Sequence, residues 1–206
     1  MNECKHVVAL GGGGHFISVA AMLTSTDWRV GAVVDSSSDC LARDYVASDL
    51  LFSDQDLPRL RENFTHGIVT CGQIKSSSLR RRLWHSLQEL DFICPPIKAS
   101  SAIVMNDNLV GAGSVLMHRV VVNAKSFIGK NCIVNTGAIV EHECQVGDHV
   151  HIATGAILNG GVTVGAGSFV GSGSIIRERV TIGENCLIGA GIFVRHDLAD
   201  GTLVVE

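Results

Sequence analysis

The sequence predicts a small parallel α/β sheet followed by a parallel β-helix. Over residues 1–95, short apolar runs alternate with segments of helical periodicity, the order typical of a parallel sheet covered by helices. From Val104 to Val194 every sixth residue is aliphatic, at sixteen positions without a slip in phase. Strand and helix periods of about 2 and 3.6 residues do not produce this repeat. We therefore predict an α/β domain over 1–95 and a β-helix domain over 96–206.

The first domain has three predicted strands, and the first and third of them are each followed by a predicted helix. In chain order the predicted elements are a strand over 6–10, a glycine turn over 11–14, a helix over 16–25, a strand over 30–34, a strand over 67–71 and a helix over 76–90. Cys94-Pro95-Pro96 ends this part, because consecutive prolines interrupt both helices and strand ladders.

The six-residue repeat predicts the architecture of the second domain. Each unit should form one strand and one corner, so that three units close a triangular coil of about eighteen residues. The aliphatic residues would stack along the axis and bury a column that no single repeat could bury alone. Cys132, Cys144 and Cys186 occupy the small inward position two residues before an aliphatic. Glycines such as Gly111 and Gly129 directly follow an aliphatic, where we expect a corner to need a permissive backbone.

Composition narrows the classes of function. Of the 206 residues, 46% are hydrophobic and 17% charged, the net charge is −4, and no basic run exceeds three residues. These values exclude a disordered chain and argue against a nucleic-acid binder that neutralises phosphates. The sequence has no apolar stretch of about twenty residues and no secretory cleavage region. Seven cysteines without a CxxC pair indicate reduced thiols, so we expect a cytoplasmic protein.

His142 is the strongest candidate for a catalytic base. It is expected on a corner between Ala124 and Gly160 of the adjacent coils, whose small size leaves space beside the imidazole. Glu143 could hold one ring nitrogen and leave the other as a proton acceptor. The alternative is an exposed histidine among acidic corner residues. Because Cys144 should point inward, no nucleophile lies beside His142, and we predict no acyl-enzyme.

His149 and His151 raise the possibility of a metal site with His142, since three imidazoles can bind zinc. His149 is expected on a corner and His151 on a strand, and no spacing fixes the three on one face. We therefore expect no metal and interpret His151 as a hydrogen-bond donor to a substrate.

The glycine turn is a second candidate site. It follows a strand and precedes a helix, the context in which backbone amides and a helix N-terminus bind phosphate. Asp35 ends the next strand, where an acidic side chain can bind a ribose hydroxyl. The dinucleotide-binding fingerprint is incomplete. Its third glycine position is occupied by Phe16 if the motif starts at Gly11 and by Ile17 if it starts at Gly12. The sequence therefore disfavours an NAD site but allows a nucleotide sugar. A turn without a ligand is the alternative.

Two further motifs lie near this candidate site in the sequence. Cys71-Gly72-Gln73 is expected at the same sheet edge. Arg80-Arg81-Arg82 is interpreted as a solvated helix face rather than an anion clamp.

The residues described above resemble the hexapeptide-repeat sugar acetyltransferases with a left-handed β-helix. Within them, the chain is similar to bacterial enzymes that acetylate nucleotide-linked amino sugars or sialic-acid-type sugars. The resemblance covers nearly the whole chain, including the glycine loop with His15, and is most specific over NTGAIVEHECQVGDHVHI. It implies left-handed winding, acetyl-CoA as acyl donor, a Rossmann-like first domain that binds the sugar nucleotide, and a homotrimer with active sites between subunits.

The resemblance also implies roles for individual residues. His142 would be the general base and Glu143 the residue that raises its basicity. The residues implied to contact acetyl-CoA are His151, Ser172 and Ala190. The residues implied to bind the sugar nucleotide are Gly13, Gly14, His15, Asp35, Ser36, Gly72 and Gln73. Related chains continue with a Gly-x-Pro-Ala-Lys-like tail, whereas this one ends at Glu206, so we expect the surface for the nucleotide end of CoA to be altered or the chain to be truncated.

The predicted function is N-acetylation of a nucleotide-linked amino sugar, of the UDP-4-amino-sugar type, by direct attack on the thioester of acetyl-CoA. Three alternatives stay open. The first is O-acetylation of a sialic-acid-type sugar. The second is a metal-dependent hydratase resembling the γ-class carbonic anhydrases, and the third is a non-catalytic sugar-nucleotide binder.

Overall fold

A computed structural model of the chain describes residues 4–37, 40–106 and 109–205. The chain forms two compact units. The first comprises Met1–Gly72 and Leu79–Pro95, and the second comprises Gln73–Ser78 and Pro96–Glu206. The segment Gln73–Ser78 lies within the first predicted domain by sequence but packs with the second unit. None of the helices in the described ranges is long and apolar enough to cross a membrane.

The first unit contains a four-stranded parallel sheet in the order β3-β2-β1-β4. Its strands are β1 (Lys5–Leu10), β2 (Trp28–Val34), β3 (Leu51–Phe52) and β4 (His66–Val69). Its helices are α1 (Gly14–Leu23), α2 (Leu57–Asn63) and α3 (Ser78–Glu89), with 3₁₀ turns at Leu41–Asp44, Ser48–Leu50 and Asp54–Asp56. The second half of β1 is buried because β2 and β4 flank it and helices cover the sheet. The predicted parallel α/β fold is therefore confirmed.

The second unit is the predicted parallel β-helix, with three flat faces. The first face consists of β5 (Ile97–Lys98), β7 (Val115–Leu116), β10 (Ile133–Val134), β13 (His151–Ile152), β16 (Phe169–Val170), β19 (Leu187–Ile188) and β21 (Leu203–Val204). The second face consists of β6 (Ile103–Val104), β8 (Val121–Val122), β11 (Ile139–Val140), β14 (Ile157–Leu158), β17 (Ile175–Ile176) and β20 (Phe193–Val194). The third face consists of β9 (Phe127–Ile128), β12 (Gln145–Val146), β15 (Thr163–Val164) and β18 (Thr181–Ile182).

The pairing register confirms the expected length of a coil. Ile133 pairs with Val115 on one side and with His151 on the other, eighteen residues away in each direction. Of the sixteen repeat aliphatics, all but Val104 and Val110 are buried. They form the continuous column along the axis that the repeat predicts.

Small residues in the inward position also tie successive coils together. The hydroxyl of Ser114 donates to the carbonyl of Gly129 over 2.7 Å and accepts the N–H of Cys132 over 2.9 Å. Ser168 makes the equivalent pair of bonds. Because both partners of each hydroxyl lie inside the stack, these serines are buried without leaving a polar group unsatisfied.

The glycines that follow the aliphatics need a different explanation from the one the sequence suggested. A Cβ built on Gly171 would lie 2.3 Å from the backbone of Gly189 in the next coil, whereas its φ is ordinary. The left-handed conformation occurs two residues later, for example at Gly173 with φ of 68°. The expectation of a permissive backbone at Gly171 was therefore wrong, because close approach of adjacent coils excludes a side chain there.

Candidate functional site

His142 and Glu143 form a hydrogen-bonded pair on the corner between the second and third faces. Nδ1 of His142 lies 3.2 Å from Oε2 of Glu143, and both side chains are exposed. Since a carboxylate can only accept, Nδ1 carries the hydrogen and Nε2 of the neutral ring is left as a proton acceptor. The hydrogen bond from His142 and the charge of Lys125 hold the pKa of Glu143 below its usual range. Glu143 is therefore a carboxylate at neutral pH.

The backbone of this corner is fixed by the coils on both sides. The N–H of Glu143 donates to the carbonyl of Ala124, and the N–H of Gly161 donates to the carbonyl of His142. Glu143 has a φ of 61°, the conformation that Lys125 and Gly161 also adopt one coil away. The repeat thus places the pair on a rigid frame rather than on a mobile loop.

The imidazole of His142 lies directly against Gly160 of the next coil. A Cβ at Gly160 would be 2.6 Å from both Nε2 and Cε1 of His142. Ala166 and Ser172 occupy the equivalent place after their own aliphatics, so the backbone there accepts side chains. The absence of a side chain at Gly160 therefore makes room specifically for the ring.

His151 is buried beneath the segment that begins at Gln73. Its Nδ1 donates to the backbone carbonyl of Gln73 over 2.5 Å, and its ring packs edge-on against Phe169. The side-chain amide of Gln73 donates to the carbonyl of Gly167 over 3.1 Å. The structure therefore brings His151 together with Gln73, and the roles predicted for them toward cofactor and substrate stay predictions.

Ser172 and Ala190 lie on a different corner from His142. They are exposed neighbours in successive coils, linked by the N–H of Gly191 and the carbonyl of Ser172, on the corner between the first and second faces. One β-helix thus presents the candidate base and the two implied cofactor contacts at separate corners.

The three histidines considered for a metal site do not converge. Nδ1 of His149 lies 3.0 Å from the side-chain amide of Asn131, not beside His142. Among residues 4–37, 40–106 and 109–205, no group of three His, Cys, Asp or Glu side chains could hold a metal ion.

The glycine loop lines a cleft of about 520 Å³ at the carboxyl edge of the first unit's sheet. Its lining residues are Gly11, Gly13, Gly14, His15, Val34, Asp35, Ser36, Ser37, Asp54, Cys71, Gly72, Leu79, Arg82 and Leu83. Gly13 precedes α1, and no side chain caps the helix there. A Cβ at Gly13 or Gly14 would meet nothing within 4 Å. The N-terminus of α1 therefore has open space beside it, as an anion-binding site requires.

Asp35 holds the glycine loop in place. Its Oδ2 accepts the N–H of Gly12 over 2.6 Å, and its Oδ1 accepts the N–H of Ser37 over 2.8 Å. The loop also needs glycine at position 11, where φ is 103° and a Cβ would lie 2.9 Å from the backbone of Cys71. The carboxylate thus shapes the cleft, and the ribose contact that the sequence suggests for it stays a prediction.

The cleft brings together six of the seven predicted substrate residues, and Gln73 is the exception. Ser37, Asp54, Leu79 and Leu83 also line the cleft, although none of them was predicted as a site residue. Leu79 and Leu83 could have been found from their spacing of four on a predicted helix. Asp54 gives no such signal, because the 3₁₀ turn that carries it is too short to show periodicity.

The arginine run departs from the expected solvated face. Arg80 is fully buried, and its guanidinium donates to the carbonyls of Val69 and Cys71 at the end of β4. Arg82 is exposed and lines the cleft. The interpretation of the run was therefore wrong for Arg80, whose charge-assisted bonds hold the carboxyl end of the central sheet.

Comparison with known proteins links the fold to a class of enzymes. Residues 161–195 match the bacterial transferase hexapeptide family (six repeats). No curated protein matches the chain. PerB from Caulobacter crescentus, solved with CoA and GDP-perosamine, is 34% identical, with a TM-score of 0.86 over 98% of this chain and 94% of that one. Two mutants of a perosamine N-acetyltransferase from the same organism, with one histidine replaced by alanine or asparagine, were solved with the same two ligands and are 33% and 34% identical.

Two further structures extend the comparison. The acetyltransferase domain of PglB from Neisseria gonorrhoeae, in complex with acetyl coenzyme A, is 28% identical, with a TM-score of 0.85 over 98% of this chain and 96% of that one. WeeI from Acinetobacter baumannii is 19% identical, with a TM-score of 0.67 over 98% of this chain and 97% of that one, and shows the shared fold only.

Proposed function

The chain belongs to the hexapeptide-repeat sugar acetyltransferases, and on that premise we propose that it N-acetylates an amino sugar linked to a nucleoside diphosphate. It is an acetyltransferase with a left-handed β-helix, and its acyl donor is acetyl-CoA. The amine acceptor is supported by similarity to an N-acetyltransferase that binds GDP-perosamine. The observation that carries the proposal is the His142–Glu143 pair, with Nε2 of the imidazole available beside Gly160.

In the proposed mechanism, the acceptor amine attacks the thioester carbonyl of acetyl-CoA directly. Nε2 of His142 takes a proton from the amine as the carbon–nitrogen bond forms, and Glu143 stabilises the resulting imidazolium. The tetrahedral intermediate then expels the thiolate of CoA, which receives the proton from His142. Donors directed at the oxyanion would lower the barrier further.

Cys144, which follows the His142–Glu143 pair, is not suited to form an acyl-enzyme. Cys144 is fully buried, with its thiol directed at the carbonyl of Asn159 over 3.2 Å. Burial raises the pKa of Cys144, so its reactive thiolate form is disfavoured. The proposal therefore has a single transfer step without a covalent protein intermediate.

Mass spectrometry of the product tests the proposed reaction. The enzyme is incubated with acetyl-CoA and a panel of GDP- and UDP-linked amino sugars, with free and CMP-linked sialic acid as the competing acceptor class. We expect an acetyl group on the amine of one nucleotide-linked amino sugar. Acetylation of a sialic acid hydroxyl instead, or no transfer to any nucleotide-linked amine, would refute the proposal.

Gly160→Ala tests whether the base must lie where the structure places it. The new methyl group would displace the imidazole by a distance on the order of 1 Å, so we expect kcat to fall about 100-fold. The thermal unfolding midpoint should stay within about 2 °C of wild type, because Ala166 shows that alanine fits the equivalent position. Wild-type kcat in this variant would show that the position of the ring is unimportant.

We propose that the second face packs against another copy of the chain in a homotrimer. All its outward side chains are large and apolar, and none is buried within one chain: Ile103, Val121, Ile139, Ile157, Ile175 and Phe193. The outward residues of the third face are mostly polar, as at Gln145 and Thr163. A contiguous apolar strip of this kind is typical of an interface between subunits. Assembly would also allow the base of one chain and the cofactor corner of another to line one site.

Ile157→Asp should disrupt this assembly. A carboxylate in the middle of an apolar interface loses its hydration without gaining a partner, which costs several kcal/mol. Sedimentation velocity should give three times the monomer mass for the wild type and the monomer mass for the variant. Thr163→Asp on the third face is the matched control and should stay trimeric. A monomeric wild type, or a trimeric Ile157→Asp variant, would argue against the interface.

A further inference from the structure

One stripe of α3 faces the glycine-loop cleft. Leu79, Arg82 and Leu83 all line the cleft. Arg82 and Leu83 lie three and four residues after Leu79, the spacing that places side chains near one another on a helix face. Arg80 and Leu87 of the same helix are buried. The helix thus directs one arginine of the run into the cleft and another into the interior.

The two arginines differ in how their charge is used. The guanidinium of Arg80 donates to two backbone carbonyls at the end of β4, over 3.0 and 2.8 Å. The guanidinium of Arg82 makes no hydrogen bond or ion pair with any residue in the described parts of the chain. Arg82 therefore has five N–H donors available in a cleft wall.

An anionic ligand in this cleft would need a cation to offset the negative charges of the cleft wall. Asp35 and Asp54 both line the cleft and would repel an anionic ligand. The N-terminus of α1 contributes only about half a positive charge. Arg82 is the only lysine or arginine among the described residues that line the cleft. Burial raises the pKa of the Cys71 thiol in the cleft wall; the charge of Arg80 and, to a smaller extent, that of Arg82 oppose this rise, and the charge of Asp35 adds to it.

We infer that Arg82 binds the diphosphate of the nucleotide-linked substrate, together with the N-terminus of α1. The guanidinium fork matches two phosphate oxygens and neutralises charge that the two carboxylates would otherwise repel. The inference rests on the proposed function, since it names the residue that recognises the nucleotide part of that acceptor. Arg82 is a binding residue in this account, distant in sequence from the base that moves the proton.

Binding titrations with and without Arg82 test this inference. Isothermal titration calorimetry measures the Kd of wild type, Arg82→Gln, Arg82→Lys and Arg81→Gln for GDP, UDP and CoA. Loss of a charge-assisted contact should raise the Kd for the preferred nucleoside diphosphate about 10- to 100-fold in Arg82→Gln. Arg82→Lys should lose less, because an ammonium keeps the charge without the planar fork. The Kd for CoA, which also contains a diphosphate, should stay within about twofold of wild type.

Arg81→Gln is the matched control, because it removes the same charge one residue away and Arg81 does not line the cleft. It should bind the nucleoside diphosphate within about threefold of wild type, and the effect of Arg82→Gln should shrink between about 50 and 500 mM salt. If wild type and Arg82→Gln had the same Kd for the nucleoside diphosphate, the role of Arg82 would be overturned while the proposed function would stand. If Arg82→Gln instead raised only the Kd for CoA, Arg82 would bind the diphosphate of CoA, and this result would also overturn the inference. A wild type that binds neither GDP nor UDP would overturn the proposed function and this inference together.

Discussion

His142→Ala should lower kcat for acetyl transfer by roughly 100- to 10,000-fold, the range expected when a general base is lost. Alanine cannot accept the proton of the attacking amine. Glu143 cannot replace the base, because its proposed role is to stabilise the imidazolium form of His142. The Kd values for acetyl-CoA and for the nucleotide should change little, because the imidazole acts mainly on the transition state. Steady-state kinetics with the acetylated product as readout measures the loss.

His149→Ala is the control for this prediction. His149 also lies on a corner of the β-helix, but its Nδ1 contacts the side-chain amide of Asn131. This variant should keep kcat within about threefold of wild type. If His142→Ala turned over at the wild-type rate, or if both variants lost the same activity, His142 would not be the base.

Gly171→Ala should be the most destabilising single methyl addition in the β-helix. The new Cβ would lie 2.3 Å from backbone atoms of Gly189, and neither coil can move without breaking its ladder. We expect the free energy of unfolding to fall by roughly 3 kcal/mol, the upper part of the range for an overpacked core. Urea denaturation followed by circular dichroism measures it.

Gly173→Ala provides the comparison within the same coil. Gly173 has a φ of 68°, but a Cβ there meets nothing within 4 Å. The cost should be about 1 kcal/mol, from left-handed backbone strain alone. The account fails if Gly173→Ala is the more destabilising of the two, since backbone conformation would then explain the glycines better than the approach of coils.

The repeat made most of the second unit predictable. A strict six-residue period determines which residue lies above which, so the position of His142 beside Gly160 follows from counting eighteen residues along the chain. The pairing of His142 with Glu143 was predictable for the same reason, because both lie on one corner. A periodic backbone thus converts sequence spacing into spatial contact.

The first unit was less predictable because its contacts are not periodic. The two-residue strand β3 and the seven-residue helix α2 are too short to show a period and were missed. The burial of Arg80 depends on carbonyls at the end of β4, which no local pattern reveals. Gln73 was expected at the sheet edge, but its side chain bonds to Gly167, 94 residues later in the chain. Local sequence does not encode which distant backbone groups need a donor.

A structure of the wild-type enzyme with CoA and a nucleotide-linked amino sugar measures the central distance directly. We predict that the acceptor amine lies about 3 Å from Nε2 of His142, with the thiol sulfur of CoA within reach of the same nitrogen. The result would contradict the proposed mechanism if the amine lay well outside hydrogen-bonding distance of Nε2 and donated its hydrogen bond to another side chain.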